Sequence, residues 1–286
     1  MIKKSIALQL VRAKHWPKNL LIFAAPLGAG VEFTSTNLLT GFLGFLGFSL
    51  CASAIYVIND YIDQNGDKKH PVKKYRPIAA GLIKKRYVPL IILFLTGFSI
   101  LIVSDFSFES KVTLLIYFIL NLAYTFKLKT IAVLELGIVA FGYSLRILFG
   151  AQIFSLLASS WLMISTFCAA FGVIAAKRRA EVSATNRETS GKRQVLAGYN
   201  SSALYSVSGL AFGISFTTYS LWLFEHSINF QLLLLACEML GLVLLAFLLI
   251  ESEQNKLESP EDLLKSGKFM AIFAIFATLN LFLLYV

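Results

Sequence analysis

Residues 59–81 read NDYIDQNGDKKHPVKKYRPIAAG, a dense polar stretch between long apolar segments. Offsets of three and four residues place Asp60, Asp63 and Asp67 on one face of a helix, with Asn59 at its edge. Three carboxylates in this register repel one another unless a cation lies among them, and Mg²⁺ prefers oxygen ligands completed by phosphate oxygens. Basic side chains follow at once, from Lys68 to Arg76. Acids followed by cations predict a site for a metal ion and a diphosphate; a solvated loop is the plainer alternative.

The composition around this stretch is that of a membrane protein. Of the 286 residues, 57% are hydrophobic and 15% are charged, and the mean hydropathy is +0.72. Apolar runs near twenty residues recur, each long enough to cross ~30 Å of hydrocarbon. The pattern predicts an all-α membrane protein, a single domain over residues 1–286. Its nine candidate spans lie at roughly 18–34, 38–58, 88–104, 111–127, 131–151, 159–176, 203–224, 229–250 and 268–286.

The basic residues lie on one side of these spans. Apart from Lys111 and Arg146, they occupy the N-terminal segment and alternate loops, at 59–87, 127–130, 177–202 and 251–268. The positive-inside rule therefore predicts a cytoplasmic N-terminus and a multi-pass protein of the inner (cytoplasmic) membrane. Topology accounts for the basic pI, so we expect membrane lipids and no nucleic acid among the partners.

Three further polar groups lie at the predicted cytoplasmic ends of the spans. They contain Lys14, Lys18 and Asn19; Tyr124, Lys127 and Lys129; and Lys177, Arg178 and Glu181. Ammonium and guanidinium groups bind phosphate, and a guanidinium does so in a bidentate fork. Each group could equally anchor the chain at the interface or mark the inner boundary of a span.

Two charges, Glu135 and Arg146, fall within the fifth predicted span. Eleven residues separate them, so they share a helical face but stand ~16 Å apart along it. Each therefore needs a partner on another helix or in a water-filled cavity, and Glu238 is one possibility. Charges within the bilayer core are costly, so a functional role is favoured over a structural ion pair.

Together these residues resemble the UbiA superfamily of intramembrane prenyltransferases, whose NDxxDxxxD motif is matched by residues 59–67. Within it, the chain is most similar to the polyprenyl-phosphate phosphoribosyltransferases. The resembling segments are RAKHWPKNLLIFAAPL (12–27), HPVKKYRPIAAG (70–81), YTFKLKTIAVLELGIVAFGYSLR (124–146), KRRAE (177–181) and PED (260–262). The resemblance implies a nine-helix bundle that transfers 5-phosphoribose from 5-phosphoribosyl 1-diphosphate (PRPP) to a polyprenyl phosphate at the cytoplasmic face, with Mg²⁺ as cofactor.

The resemblance also implies roles for individual residues. The metal ligands would be Asn59, Asp60, Asp63 and Asp67. The leaving diphosphate would be stabilised by Asp60, Asp63, Lys74 and Arg76. Substrates would contact Lys14, Lys18, Asn19, Lys73, Tyr124, Lys127, Lys129, Glu135, Arg146, Lys177, Arg178 and Glu181. Two positions depart mildly from the subgroup, where Glu135 replaces the usual Asp and Ala13 the usual Pro.

The segment KRRAE favours phosphoribosyl transfer over prenyl transfer. Ordinary UbiA prenyltransferases carry a second aspartate-rich motif at this place, and this chain carries Lys177, Arg178 and Arg179 instead. Prenyl transfer from a prenyl diphosphate to an aromatic acceptor remains the main alternative. A lipid-phosphate carrier or transporter is a further one, although the sequence lacks the internal repeats that many transporters show.

Overall fold

The computed structural model describes residues 6–32, 34–185, 194–226, 231–253 and 266–285. Within these ranges the chain forms helices joined by turns, without a strand. The α-helices are α1 (Ile6–Leu10), α2 (Ala24–Gly28), α3 (Ser35–Asp67), α4 (Val88–Val103), α5 (Phe108–Phe126), α6 (Leu134–Ile153), α7 (Ser160–Thr185), α8 (Ser201–His226), α9 (Gln231–Glu253) and α10 (Gly267–Tyr285). Shorter 3₁₀ helices cover Ala13–Phe23, Lys73–Tyr75, Lys85–Tyr87, Leu128–Thr130 and Gln194–Gly198. The all-α prediction is confirmed.

Five of the described helices are long and apolar enough to cross a membrane, namely α3, the 3₁₀-extended α4, α6, α7 and α8. Shorter apolar stretches lie within α9 and α10. The protein is therefore an integral membrane protein. The count of nine spans and the cytoplasmic N-terminus stay predictions.

The first predicted span, residues 18–34, is not a regular α-helix. It begins inside the 3₁₀ helix Ala13–Phe23, which contains Pro17, and passes into the short helix α2, which contains Pro26. Proline lacks an amide hydrogen and clashes with the preceding turn, so it interrupts an α-helix. Contacts with other elements hold this broken segment in place. A Cβ added at Gly150 of α6 would lie 1.9 Å from the Ile22 carbonyl oxygen.

Contacts divide the chain into two compact units. The first covers Met1–Pro26, Val31–Leu128 and Leu145–Leu157, and the second covers Leu27–Gly30, Lys129–Ser144 and Ala158–Val286. Helix α6 thus contributes its first half to the second unit and its second half to the first. That the chain is a single domain stays a prediction.

Helix α3 organises the first unit and carries the polar stretch at its end. Its first turn is capped by Thr34, whose hydroxyl accepts a hydrogen bond from the Asn37 amide. A helix of 33 residues is about 50 Å long, more than the ~30 Å of hydrocarbon, so its last turns can extend beyond an apolar span. Its middle is fixed by packing, since Phe48 is fully buried against Tyr117 and Phe149.

The second unit is held together by close packing of α7 on α8. The Ser165 hydroxyl donates to the Ser215 carbonyl at 2.9 Å, and the Ser215 hydroxyl donates back to the Ser165 carbonyl at 2.9 Å. Small residues at such a contact let the two backbones approach, as is typical of membrane helices. Leu136 of α6 and Ile174 of α7 share the adjoining core. This packing fixes the start of α6 beside the end of α7.

Candidate functional site

The end of α3 presents a buried polar face in the first unit. Asp60 is 2% exposed, Asp67 is 5% exposed, and Gln64 between them is 8% exposed. Asp63 and Asn59 lie half-buried beside this face. The helical register predicted from sequence therefore holds for Asp60 and Asp67, and it adds Gln64, at i+4 from Asp60 and i−3 from Asp67, as the third buried side chain.

Two arginines compensate the charge of the buried carboxylates. Arg76 donates from Nη1 to Asp60 Oδ1 at 2.9 Å and to Asp67 Oδ2 at 2.7 Å. Arg12 donates from Nη2 to Asp60 Oδ1, and its guanidinium lies over the Tyr56 ring, 4.8 Å from the centroid. Arg12 has a φ of 50°, a strained value for a residue with a side chain. Two buried acids thus meet two guanidinium groups.

A compact turn carries Arg76 to this position. The His70 Nδ1 accepts hydrogen bonds from the backbone amides of Val72 and Lys73, at 3.2 and 3.3 Å. The 3₁₀ helix Lys73–Tyr75 follows, and Arg76 is extended with φ −63° and ψ 140°. The extended conformation is the one favoured for a residue that precedes proline.

A cavity of about 560 Å³ opens beside this cluster. Its charged and polar lining comes from Gln9, Arg12, Lys14, His15, Asp60, Lys73, Tyr75 and Arg76. The volume lies within the ~300–1,000 Å³ range of small-molecule sites. The predicted residues Lys14, Lys73, Arg76 and Asp60 are therefore brought together. Lys74 instead lies exposed, with its ammonium 5.1 Å from the centroid of the Tyr75 ring.

The buried face of α3 formed by Asp60, Gln64 and Asp67, here called the acidic face, suits a magnesium ion whose remaining ligands come from the substrate. Among the described residues, no three His, Cys, Asp or Glu side chains converge into a metal-binding group. Mg²⁺ is usually held by one or two carboxylates together with waters and substrate phosphates, so two are enough. Asp60 and Asp67 reach the same guanidinium nitrogen, which shows that one cation can contact both. The buried Oε1 of Gln64 accepts no hydrogen bond and is a further oxygen donor on this face.

Arg146, predicted to need a partner outside its own helix, finds partners in the core of the first unit. Its Nε donates to Asn19 Oδ1 at 2.8 Å, and its Nη2 donates to the Tyr117 hydroxyl at 3.0 Å. The guanidinium also lies over the rings of Phe48 and Tyr117, 5.1 and 5.0 Å from their centroids. Asn19 in turn donates to Ser49 at 2.8 Å. Arg146 and Asn19 together fasten the broken 3₁₀ segment to α3, α5 and α6.

Glu135 forms a separate buried network in the second unit. Its Oε2 accepts from Arg178 Nη2 at 2.8 Å, and its Oε1 accepts from Arg178 Nε. The remaining guanidinium nitrogen, Nη1, donates to both Glu181 oxygens, at 3.0 and 2.9 Å. Glu135 is fully buried and Arg178 is 4% exposed. Nε, Nη1 and Nη2 of Arg178 therefore each donate to a carboxylate oxygen. Glu238, the partner suggested from sequence, instead accepts from Ser220 at 2.6 Å.

Tyr199 completes this network. Its hydroxyl donates to Glu135 at 3.3 Å and accepts from the Val133 amide at 2.9 Å. Val133 has a φ of 66°, which is a true outlier for a β-branched residue. Burial raises the pKa of Tyr199 to about 12, so the hydroxyl stays protonated and able to donate at neutral pH.

The remaining predicted residues lie at the surface or partly buried. In the first unit, Tyr124 and Lys18 are half-buried and Lys127 is exposed. In the second unit, Lys129 and Lys177 are half-buried. The segment at 260–262 lies outside the described residues.

Sequence reasoning did not select Arg12, Gln64, Tyr117 or Tyr199. Arg12 and Gln64 could have been selected from the sequence. Arg12 precedes Lys14 by two residues, and Gln64 follows Asp60 by one helical turn. The two tyrosines carried none, because their roles arise from contacts with distant parts of the chain.

Comparisons with known proteins agree with this architecture. A decaprenyl-phosphate phosphoribosyltransferase of Mycobacterium tuberculosis (strain CDC 1551 / Oshkosh) is 32% identical over 220 residues, 76% of this chain and 73% of that protein. The protein of the same name from Mycolicibacterium smegmatis is 33% identical over 223 residues, 77% of this chain and 70% of its own. A UbiA homologue from Archaeoglobus fulgidus, solved with DMAPP and Mg²⁺, superimposes with a TM-score of 0.72 at 18% identity, covering 99% of this chain and 100% of the other. The family model of the UbiA prenyltransferases matches residues 20–273, and the chain belongs to that family.

Proposed function

We propose that this transferase moves the 5-phosphoribosyl group of PRPP onto a polyprenyl phosphate and releases diphosphate, at the cytoplasmic face of the inner membrane. The observation that carries the proposal is the cavity of the first unit, which Arg12, Lys14, Lys73 and Arg76 line together with Asp60. A donor with a diphosphate and a further phosphate needs such a density of cations. The names of the relatives from Mycobacterium and Mycolicibacterium supply the acceptor class.

The reaction needs few groups from the protein. An oxygen of the acceptor phosphate attacks C1 of the ribose, the bond from C1 to the diphosphate oxygen breaks, and diphosphate leaves with the electron pair. The sugar carbon gains oxocarbenium character on the way, as in other glycosyl transfers. The acceptor is already an anion, so no proton has to be removed from it. Catalysis then depends on stabilising the leaving diphosphate.

The residues of the cavity divide into two groups for this task. Asp60 and Asp67, with Asp63 and Asn59 beside them, would hold Mg²⁺, which neutralises charge on the leaving diphosphate. Lys14, Lys73 and Arg76 line the cavity and supply charge directly to phosphate oxygens. The leaving group therefore meets cations on more than one side.

The second unit has a supporting part in this proposal. Arg178 is chelated by Glu135 and Glu181, so we assign to it the positioning of the end of α7. Lys177 precedes Arg178 on α7 and is half-buried. We propose Lys177, together with Lys129, as the candidates for contact with a substrate phosphate from this unit.

A direct assay tests the proposed function. The purified full chain is incubated with polyprenyl phosphate, Mg²⁺ and PRPP carrying ³²P in its 5-phosphate, and the lipid phase is then extracted. We expect ³²P in the lipid phase, released diphosphate in equal amount, and no transfer when EDTA replaces Mg²⁺. Diphosphate release without labelled lipid would indicate hydrolysis and would contradict the proposed acceptor.

A further inference from the structure

The acidic face of α3 carries its own cation. Asp60 and Asp67 are both nearly excluded from solvent, and each accepts a hydrogen bond from the same atom, Arg76 Nη1. Arg12 supplies a second guanidinium to Asp60. Two carboxylates and two guanidinium groups make a locally neutral cluster, and the repulsion between the acids is relieved by the protein itself.

Arg76 Nη1 occupies the position that would stabilise a metal ion. It lies between two carboxylate oxygens, at 2.9 and 2.7 Å, as a bridging cation does. Gln64 gives independent support. It lies on the same helical face, is 8% exposed, and its buried Oε1 accepts no hydrogen bond. A buried acceptor left unpaired is costly, and a hard cation with oxygen ligands would satisfy it.

The two arginines differ in how freely they can move. Arg12 is 16% exposed at its side chain and lies over the Tyr56 ring. Arg76 is 25% exposed at its side chain and projects from the turn after Lys73–Tyr75, while the next residues, Pro77, Ile78 and Ala79, are buried. Its backbone is therefore fixed, whereas its guanidinium borders the cavity. Of these two arginines, Arg76 is the one that bridges both acids, and its side chain can turn into the cavity while the backbone of the turn stays in place.

We propose that Arg76 is a displaceable counter-cation, which holds Asp60 and Asp67 together before the metal binds and then turns to the diphosphate of the donor. The substrate half of this proposal rests on the proposed function. A guanidinium and a metal ion cannot share one position between two carboxylates, so each excludes the other. Metal binding frees the Arg76 guanidinium for the donor. Donor binding in turn draws this guanidinium away from Asp60 and Asp67. The two ligands consequently bind with positive coupling.

The first test measures binding of the metal alone. Mn²⁺ takes the same oxygen ligands as Mg²⁺, and its free concentration is read by electron paramagnetic resonance. We expect Arg76→Gln to bind Mn²⁺ at least ~10-fold more tightly than the wild type, within the usual range of coupling between sites. Arg86→Gln is the matched control. It removes the same charge from an exposed arginine that bonds to Tyr87, and it should leave Mn²⁺ affinity unchanged.

Two outcomes of this test would overturn the proposal. One is a folded Arg76→Gln protein, checked by its thermal unfolding, that binds Mn²⁺ no more tightly than the wild type. The other is an equal gain in Arg86→Gln, which would mean that general electrostatics rather than displacement controls the affinity. Gln64→Met should weaken Mn²⁺ binding several-fold, because it removes the spare oxygen at nearly constant volume.

A second variant covers the case in which Arg76→Gln does not fold. Asp67→Asn removes one of the two carboxylates that hold Arg76, so it should bind inorganic ³²P-diphosphate in EDTA more tightly than the wild type does. Equal or weaker binding by Asp67→Asn would contradict the release of Arg76. Neither test uses PRPP or lipid. Failure of the PRPP assay would therefore remove the proposed function and leave these results standing, and the reverse also holds.

Discussion

At the scale of single residues, the most demanding contact is the pair of Glu135 and Arg178. Both are buried, and the guanidinium has each of its nitrogens engaged by a carboxylate of Glu135 or Glu181. Such a pair is difficult to alter from one side. If Glu135 is removed, the buried Arg178 guanidinium is left with the partly exposed Glu181 carboxylate to compensate its charge. The loss of folding stability depends on which partner is replaced and on whether the other partner is replaced at the same time.

We predict that Glu135→Leu destabilises the protein by about 3–5 kcal/mol, the range for breaking a buried ion pair from one side. The double variant Glu135→Leu with Arg178→Met should recover most of that loss, since neither charge then remains. The measurement is equilibrium unfolding in mixed detergent and SDS. A double variant as unstable as the single one would show that Glu135 contributes by some other contact than Arg178.

A second prediction at this scale concerns the acids of α3. Asp67→Asn should lower the transfer rate by at least ~100-fold, comparable to the loss of one key electrostatic group, and Asp63→Asn should do the same. Asp105→Asn is a matched control, because Asp105 is exposed in the turn between α4 and α5. Transfer rates are compared at saturating Mg²⁺. A near-normal rate in either α3 variant would remove that residue from the metal site.

At the scale of elements, the long helix α3 was predictable and the broken entry segment was not. The apolar run 38–58 and the acid spacing that follows it both indicate a helix, and they form one continuous helix ending at Asp67. The 3₁₀ conformation of Ala13–Phe23 depends on partners distant in sequence. Trp16 donates to Ser53, Asn19 accepts from Arg146, and the left-handed Arg12 reaches Asp60. No local sequence pattern predicts such contacts.

The close approach of the broken segment to α6 leads to a prediction about Gly150. Because a Cβ at this position would collide with the Ile22 carbonyl, Gly150→Ala should destabilise the protein by about 1–3 kcal/mol, as overpacking does. Gly137→Ala is the control in the same helix, since nothing lies within 4 Å of its added Cβ. Thermal unfolding in detergent compares the two. Equal stability would mean that the segment shifts away from α6 without cost.

The candidate site shows the same division between what sequence predicts and what it does not. Helical spacing predicted that Asp60 and Asp67 share one face. The resemblance implied that Arg76, Lys14 and Lys73 bind substrate near them, and the structure places these three cations in one cavity with Asp60. The sequence did not predict which charged residues pair with each other, because the pairing depends on which helices pack together. The bidentate bond of Arg178 to Glu135 and the core position of Arg146 are both products of packing.

At the scale of the whole molecule, the charge bias predicts that the cavity faces the cytoplasm. A cysteine at the exposed position Lys69, in a protein with Cys51, Cys168 and Cys237 replaced by serine, should react with an impermeant maleimide only after the cells are permeabilised. Lys111→Cys is the control on the opposite side and should react in intact cells. Labelling of position 69 in intact cells would reverse the orientation.

Donor choice is the central claim, and a comparison of two parallel reactions measures it most directly. The purified protein with Mg²⁺ receives PRPP with polyprenyl phosphate in one reaction, and a prenyl diphosphate with 4-hydroxybenzoate in a parallel one. We predict a phosphoribosylated lipid from the first pair and no prenylated product from the second, because the cation-rich cavity of the first unit suits a donor that carries an additional phosphate. Turnover of the prenyl diphosphate pair, with PRPP left untouched, would contradict the account and establish aromatic prenyl transfer instead.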